Sequence, residues 1–233
     1  MTRVELLFQR LVVAARSLSR RGPAGDLDRF LGGVLWLLHT GAPWRDLPQR
    51  FGSWNAVFRR FLRWALSGRW ERVLSQVRRE VDGADVLMLD STVVHAHPDA
   101  AGAHRGEADS EALGRSRGGF TTKVHAVVSA SGRGLTFALT PGQHGDVTQA
   151  IPLLGSVPTP LAVLGDRADD ADALLAWWSV HDVAAVIPAR RNRRVPRPLD
   201  RSMYAMRNVI ERFFGRWKRW RRVGTRSDKT AAS

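Results

Sequence analysis

The sequence predicts an α/β domain preceded by a small all-helical module, and three observations carry that prediction. Up to residue 82 the apolar residues recur every three or four positions, which is the spacing of helices with one buried side. From residue 83 onward there are short continuous apolar runs, VLML before Asp90 and LAVL before Gly165-Asp166, and unbroken runs of that length read as buried strands. Beyond residue 141 the strand-type runs alternate with helix-type segments, the pattern of helices flanking a mixed sheet of about five strands.

Composition narrows the partners. A chain of 233 residues can bury one sizeable core and a small appended module, and 44% apolar residues is ordinary for a globular protein. The charge is not ordinary: 36 Lys and Arg against 22 Asp and Glu give +14. No apolar stretch approaches the ~20 residues of a membrane span. The opening is interrupted by Arg3, Glu5, Gln9 and Arg10 and does not read as a signal peptide, so the expected location is cytoplasmic, with no membrane partner. A nucleic acid is the polyanion this balance suits. Arginine outnumbers lysine, which favours forked phosphate contacts, although a GC-rich genome produces the same bias. Without cysteine, disulfides and thiolate metal sites are excluded. His95 and His97 share one strand face, but no third ligand at a zinc-type spacing accompanies them.

In chain order, residues 1–19 form a helix, 19–25 a breaker-rich link, and Asp26 is placed to cap a helix over 27–39 with Phe30, Val34, Leu37 and Leu38 inward. Gly41 and Pro43 stop it. The helix over 53–66 carries Trp54, Phe58, Phe61 and Trp64 as a core stripe, which leaves Arg59, Arg60 and Arg63 for phosphates. After a further helix over 70–81, Gly83 marks the boundary between a helical module (1–82) and the second domain (83–233). A strand over 86–95 carries Asp90. Residues 97–119, with Arg105, Arg115 and Arg117, are too poor in apolar side chains to pack, and read as a floppy hairpin or as a flap that orders on DNA. Strands over 120–129 and 135–140 form a hairpin, with Lys123 near the start of the first and able to face a phosphate. A helix over 146–154 leads to the strand 161–164 that delivers Asp166. Asp169, Asp170 and Asp172 then sit where a helix over 171–181 begins, and capping is their ordinary role. After a strand over 184–188, the stretch RRNRRVPRP at 190–198 is barred from regular structure by its prolines. Its five arginines would repel one another without a counter-ion, so Arg190, Arg191, Arg193 and Arg194 are expected to clamp DNA.

The run from Met203 to Lys229 completes the chain as a basic helix. At about 100° per residue, Tyr204, Arg207, Glu211 and Lys218 fall within a sector of roughly 60°, so the single acid on that stripe has polar and cationic neighbours. Phe213, Phe214, Trp217 and Trp220 lie among arginines elsewhere on the helix. Residues at the carboxyl ends of buried strands face the crevice where open α/β sheets bind ligands. Asp90 and Asp166 there, joined by Glu211, would make an all-oxygen donor set for a pair of hard divalent cations, Mg²⁺ or Mn²⁺. Paired ions suit in-line displacement at phosphorus.

The spacing Tyr204-(2)-Arg207-(3)-Glu211-(6)-Lys218 resembles the signature of DDE transposases of bacterial insertion sequences. G-A-P-W-R-D-L-P at 41–48, L-D-S-T at 89–92, G-R-S-R-G-G-F-T-T-K at 114–123 and the R-N-x-I-E-R-F-F at 207–214 are similar to insertion-sequence family 5 in particular. The resemblance implies an RNase H-like fold with Asp90, Asp166 and Glu211 as catalytic and metal-binding triad, holding two ions. It also implies a homo-oligomer acting on double-stranded DNA, both the element's terminal inverted repeats and its target. Arg207 and Lys218 would hold phosphates near the scissile bond, with Tyr204 stacking or hydrogen-bonding there. The chain has Ala168-Asp169 where the resemblance leads to Gly-Tyr, and this departure keeps open a second expectation, a remnant that binds DNA without cutting it.

Overall fold

Residues 3–18, 24–78, 85–100, 112–229 and 231 are described by the structure, a computed structural model. The helical periodicity yields α1 (Arg3–Ser17), α2 (Ala24–Thr40), α3 (Trp54–Leu66) and α4 (Arg69–Arg78). They close around Leu11, Ala15, Phe30, Leu31, Val34, Leu37, Val57, Trp64 and Val73. Trp64 meets the rings of Phe30 and Trp70, each at 4.9 Å between centroids, so the aromatic stripe of α3 is core. Arg59 and Arg63 are exposed on the opposite side, as sorting by face requires. Arg60 instead lies over the Phe30 ring and pairs with Asp26 at 2.6 Å. Asp26 therefore does not cap: α2 begins two residues earlier, and the carboxylate in its first turn is engaged by Arg60. The expected boundary at Gly83 and the flap residue Arg105 lie outside the described residues.

The second part begins with β1 (Val86–Ala96), β2 (Gly114–Ser116), β3 (Gly119–Ser129), β4 (Gly134–Pro141), α5 (Val147–Gly155) and β5 (Ala162–Leu164). It continues through α6 (Asp172–Val180), β6 (Ala184–Val186), α7 (Arg201–Ala205), α8 (Asn208–Trp217), α9 (Arg221–Gly224) and β7 (Thr225–Arg226). Strand β4 pairs antiparallel with β3 and β3 with β1, while β1, β5 and β6 run parallel. That order and those directions are the RNase H-like arrangement. Among the described residues seven strands appear rather than five, because two short segments find ladder partners: β2 folds back on the start of β3, and β7 pairs with the end of β1. Arg226 ties both additions together, donating to the Thr122 hydroxyl at 2.6 Å and to the Ala112 carbonyl at 3.2 Å.

Alternation along the strands sorts two cores. Leu87, Leu89, Val127 and Val163 face α5 and α6, where Leu153, Leu154, Leu174 and Trp178 meet them. Met88, Ala126, Val128, Leu164 and Val186 face α8 through Ile210 and Phe214. Residue 90 has the parity of Met88, so Asp90 points to the α8 side. It does not end its strand as expected: pairing with β3 carries β1 on through His95. The other edge of β1 is different, since its pairing with β5 stops at Met88 and with β7 begins at His95. Asp90 thus lies in a gap in the sheet edge, and that gap takes the place of the expected strand terminus.

The expected single helix from Met203 is three short ones. Around Arg207 the amide bonds tighten to three-residue spacing, Arg207 to Tyr204 at 3.0 Å and Ile210 to Arg207 at 3.1 Å. After Lys218 the chain turns back so closely that a Cβ on Gly224 would lie 2.7 Å from the Lys218 carbonyl oxygen. The turn delivers Arg222, nearly buried, to the helical module. Its guanidinium pairs with Asp228 at 2.8 Å, donates to the Ala42 carbonyl at 3.1 Å and lies over the Trp44 ring. The G-A-P-W stretch is therefore a seat for α9.

Candidate active site

Two strands bring two acids together. Asp166 lies two residues past the end of β5, its Oδ1 accepting from the Ala168 amide at 2.6 Å. With Asp90, Ser91, His125, Asp146 and Asp169 it lines a cavity of about 10 Å³, room for one small ion or water. Burial pushes the Asp90 carboxyl above its usual range, the charges of Asp166 and Asp146 add to the rise, and Arg207 and the Ser91 amide oppose it. Asp169 is buried under Gly165, its Oδ2 accepting from the Asp166 amide at 2.9 Å. Burial raises its carboxyl to about 7, with Asp166, Asp146 and Asp90 adding to the rise against that hydrogen bond.

The sequence alone marks Asp146 only as the first residue of a helix. It stands at the N-cap of α5 yet makes no capping bond. Its Oδ1 accepts from the Ser91 hydroxyl at 2.6 Å and lies 3.2 Å from Lys123 Nζ and 3.6 Å from His125 Nδ1. The buried His125 ring bonds the Thr140 hydroxyl at 2.8 Å, and burial pulls its pKa down against the pull of Asp146. The sequence signal for this residue was weak, because an aspartate at a helix start has an ordinary capping explanation.

Glu211 stands outside this cavity with a 63% exposed side chain, and Arg207 connects it to Asp90. The guanidinium Nη2 forms an ion pair with Asp90 Oδ2 at 2.7 Å, and Nη1 donates to Glu211 Oε1 at 3.3 Å. Among the described residues no three His, Asp or Glu side chains converge closely enough to chelate an ion as they stand. The donors still suit a hard divalent cation in kind, because all are carboxylates and a cationic group already lies between two of them. Lys218 donates from Nζ to the Val93 carbonyl at 3.2 Å, in the gap along β1. Tyr204 packs half-buried against the α8-side core.

The basic residues expected to grip DNA divide into committed and free. Lys123 is held by Asp146 and by the His144 carbonyl at 2.6 Å. The arginine-rich loop has its counter-ion inside the protein: the fully buried Asp170 accepts from Arg193 Nε at 2.8 Å, Arg197 Nη2 at 2.6 Å and the Arg190 amide at 2.6 Å. Arg193 also reaches Asp172 at 2.8 Å, and Arg190 the Ala168 carbonyl at 2.8 Å. Repulsion therefore gives no reason to place DNA on Arg193. Arg191 and Arg194 are exposed, and so are Arg115 and Arg117 of the described part of the flap, although the Arg115 guanidinium lies over the Phe120 ring at 5.1 Å.

Comparison with known proteins adds the following. Residues 5–74 match a family described as "Putative transposase of IS4/5 family", and residues 82–233 match the family "Transposase DDE domain". A protein of Sinorhizobium fredii called "Uncharacterized protein y4sN" is 45% identical over 86 residues, 37% of this chain and 68% of that protein. The "Putative transposase for insertion sequence element IS6501" of Brucella ovis is 40% identical over 112 residues, 48% of this chain and 86% of that protein. Among solved structures, the piggyBac transposase synaptic complex with hairpin DNA resembles the chain at TM-score 0.47 and 12% identity; the match covers 80% of this chain and only 49% of that one. A Mos1 transposase paired-end complex with left transposon end follows at TM-score 0.30 and 14% identity, covering 88% of this chain and 81% of that one. Likeness at these values adds nothing to the geometry above.

Proposed function

The chain belongs to the transposase DDE domain family, and from that premise we propose that it cuts DNA at the ends of an insertion sequence and joins the freed ends to target DNA. The observation that carries this reading is the meeting of Asp90 and Asp166, from neighbouring parallel strands, at one small cavity, with Glu211 tied to Asp90 through Arg207. Asp90, Asp166 and Glu211 would hold two Mg²⁺ or Mn²⁺ ions. Held there, the ions would supply activation of water for attack on a phosphodiester and stabilisation of the departing oxygen.

The chain's own groups do the rest. Arg207 and Lys218, both on the site side of α8, lie within reach of a phosphate approaching the gap in β1. Arg191 and Arg194 extend the basic surface, and Arg59 and Arg63 present a second one on the helical module, suited to the terminal repeats. The 3′-hydroxyl released by hydrolysis then attacks target phosphorus in a second in-line displacement, and no covalent protein–DNA bond is needed.

A DNA-binding remnant is the competing reading, favoured by Ala168-Asp169 standing where the resemblance leads to Gly-Tyr. A cleavage and joining assay in Mg²⁺, on duplex carrying the element's ends, separates the two. Asp90→Asn should reduce cleavage to background while duplex binding stays near wild type, since affinity comes mainly from cation contacts with phosphates. A variant that cuts as fast as wild type would disprove the site, and a wild-type chain that binds without cutting would establish the remnant.

A further inference from the structure

Arg207 lies between two of the acids proposed to hold ions. Its side chain is 15% exposed, and Asp90 beside it is 18% exposed, so the contact is shielded from solvent. The guanidinium does not fork onto one carboxylate, the usual strong geometry. It divides its two Nη groups between acids from different elements, Asp90 on β1 and Glu211 on α8. Its Nε is buried and has no hydrogen-bond partner. The seat therefore serves the two acids better than it serves the arginine.

We propose that Arg207 is a resident counter-cation, which balances Asp90 and Glu211 in the ion-free chain and must swing out before a divalent ion can bridge them. This rests on the site read above, and it adds that ion loading and release of the guanidinium toward a phosphate are one event. The contacts favour the coupling. Asp166 and Asp146 add like charge around Asp90, Arg207 is the cation set against it, and a guanidinium and a divalent ion cannot share the same carboxylate oxygens. Lys218 is turned to the same edge of β1, onto the Val93 carbonyl, so it does not compensate either acid. Lys123 is spent on Asp146 and likewise leaves Asp90 and Glu211 to Arg207. Removing the guanidinium then exposes an uncompensated pair that takes up a divalent ion more readily.

The test is a Mn²⁺ titration of the 233-residue chain without DNA, with free ion read by electron paramagnetic resonance, on wild type, Arg207→Gln, Arg207→Lys and Asp90→Asn. Arg207→Gln should bind Mn²⁺ at least about tenfold more tightly. Arg207→Lys should fall between, because one ammonium cannot span both acids. Affinity at or below wild type in Arg207→Gln, with uptake abolished in Asp90→Asn, overturns the counter-cation and leaves the site standing. Unchanged uptake in Asp90→Asn removes the site and this inference with it. Should circular dichroism show the glutamine variant unfolded, the lysine variant decides: affinity no higher than wild type refutes the proposal.

Discussion

Asp170→Asn isolates the charge that holds the arginine loop. The carboxylate is fully buried, with Arg193 and Arg197 at 2.8 and 2.6 Å, and asparagine keeps its shape while removing the charge. Each pair contributes about 4 kcal/mol of attraction at ~4 Å and an effective dielectric constant near 20. Much of that is offset by the desolvation of Asp170, so breaking such a pair costs about 3–5 kcal/mol. The arginines retain 22% and 30% exposure and can recover water, which places the expected loss at the lower end, about 3 kcal/mol. For a chain of this size that corresponds to a fall in Tm of about 6–12 °C. Differential scanning calorimetry at pH 7 reads it. The pH profile supplies an independent check. Burial alone would raise the Asp170 pKa, but the hydrogen bonds from Arg193, the Arg190 amide and Arg197 bring it from 3.8 down to about 2. A folded-state value below the unfolded one contributes stability that is full above about pH 4 and is lost as pH falls toward 2. Wild type should lose stability across that window more steeply than the variant. A variant melting within about 2 °C of wild type at pH 7, with the same acid profile, would refute the assignment of Asp170 as the counter-ion of the loop.

Two further perturbations test the supports of the site. A Cβ at Gly165 would lie 2.6 Å from Asp169 Oδ2, so Gly165→Ala should cost about 1–3 kcal/mol by overpacking, visible as a lower Tm, and no change would show that Asp169 is not seated there. Arg222→Ala removes the Asp228 pair, the bond to the Ala42 carbonyl and the Trp44 contact at once, and should cost about 3 kcal/mol. It should also separate the melting of the helical module from that of the sheet domain; a single unshifted transition would mean that α9 does not couple them.

Much of the fold was legible because it is carried by periodicity. The three-to-four spacing in α1 to α4 and the apolar runs of β1 and β5 depend on which face each residue buries, and that is written locally. Asp90 and Asp166 could be found for the same reason, since each interrupts an apolar run with a charge. Asp146 could not, because its helix-start position has a common local explanation and only the sheet brings Ser91, Lys123 and His125 to it. The arginine loop's electrostatics are not local either: its like charges call for an anion, and nothing local shows that Asp170 turns inward toward Arg193 and Arg197.

By itself the sequence determined the order of elements and the excess of basic charge, and it singled out three acids as candidates, because composition and hydrophobic spacing act along the chain. Only the tertiary structure decided where β1 loses its neighbour, that the last helix breaks at Arg207, and that Arg207 lies between Asp90 and Glu211. The first and last of those outcomes join residues far apart in the sequence, Met88 with Leu164 and Asp90 with Arg207, which meet only when the sheet and α8 pack.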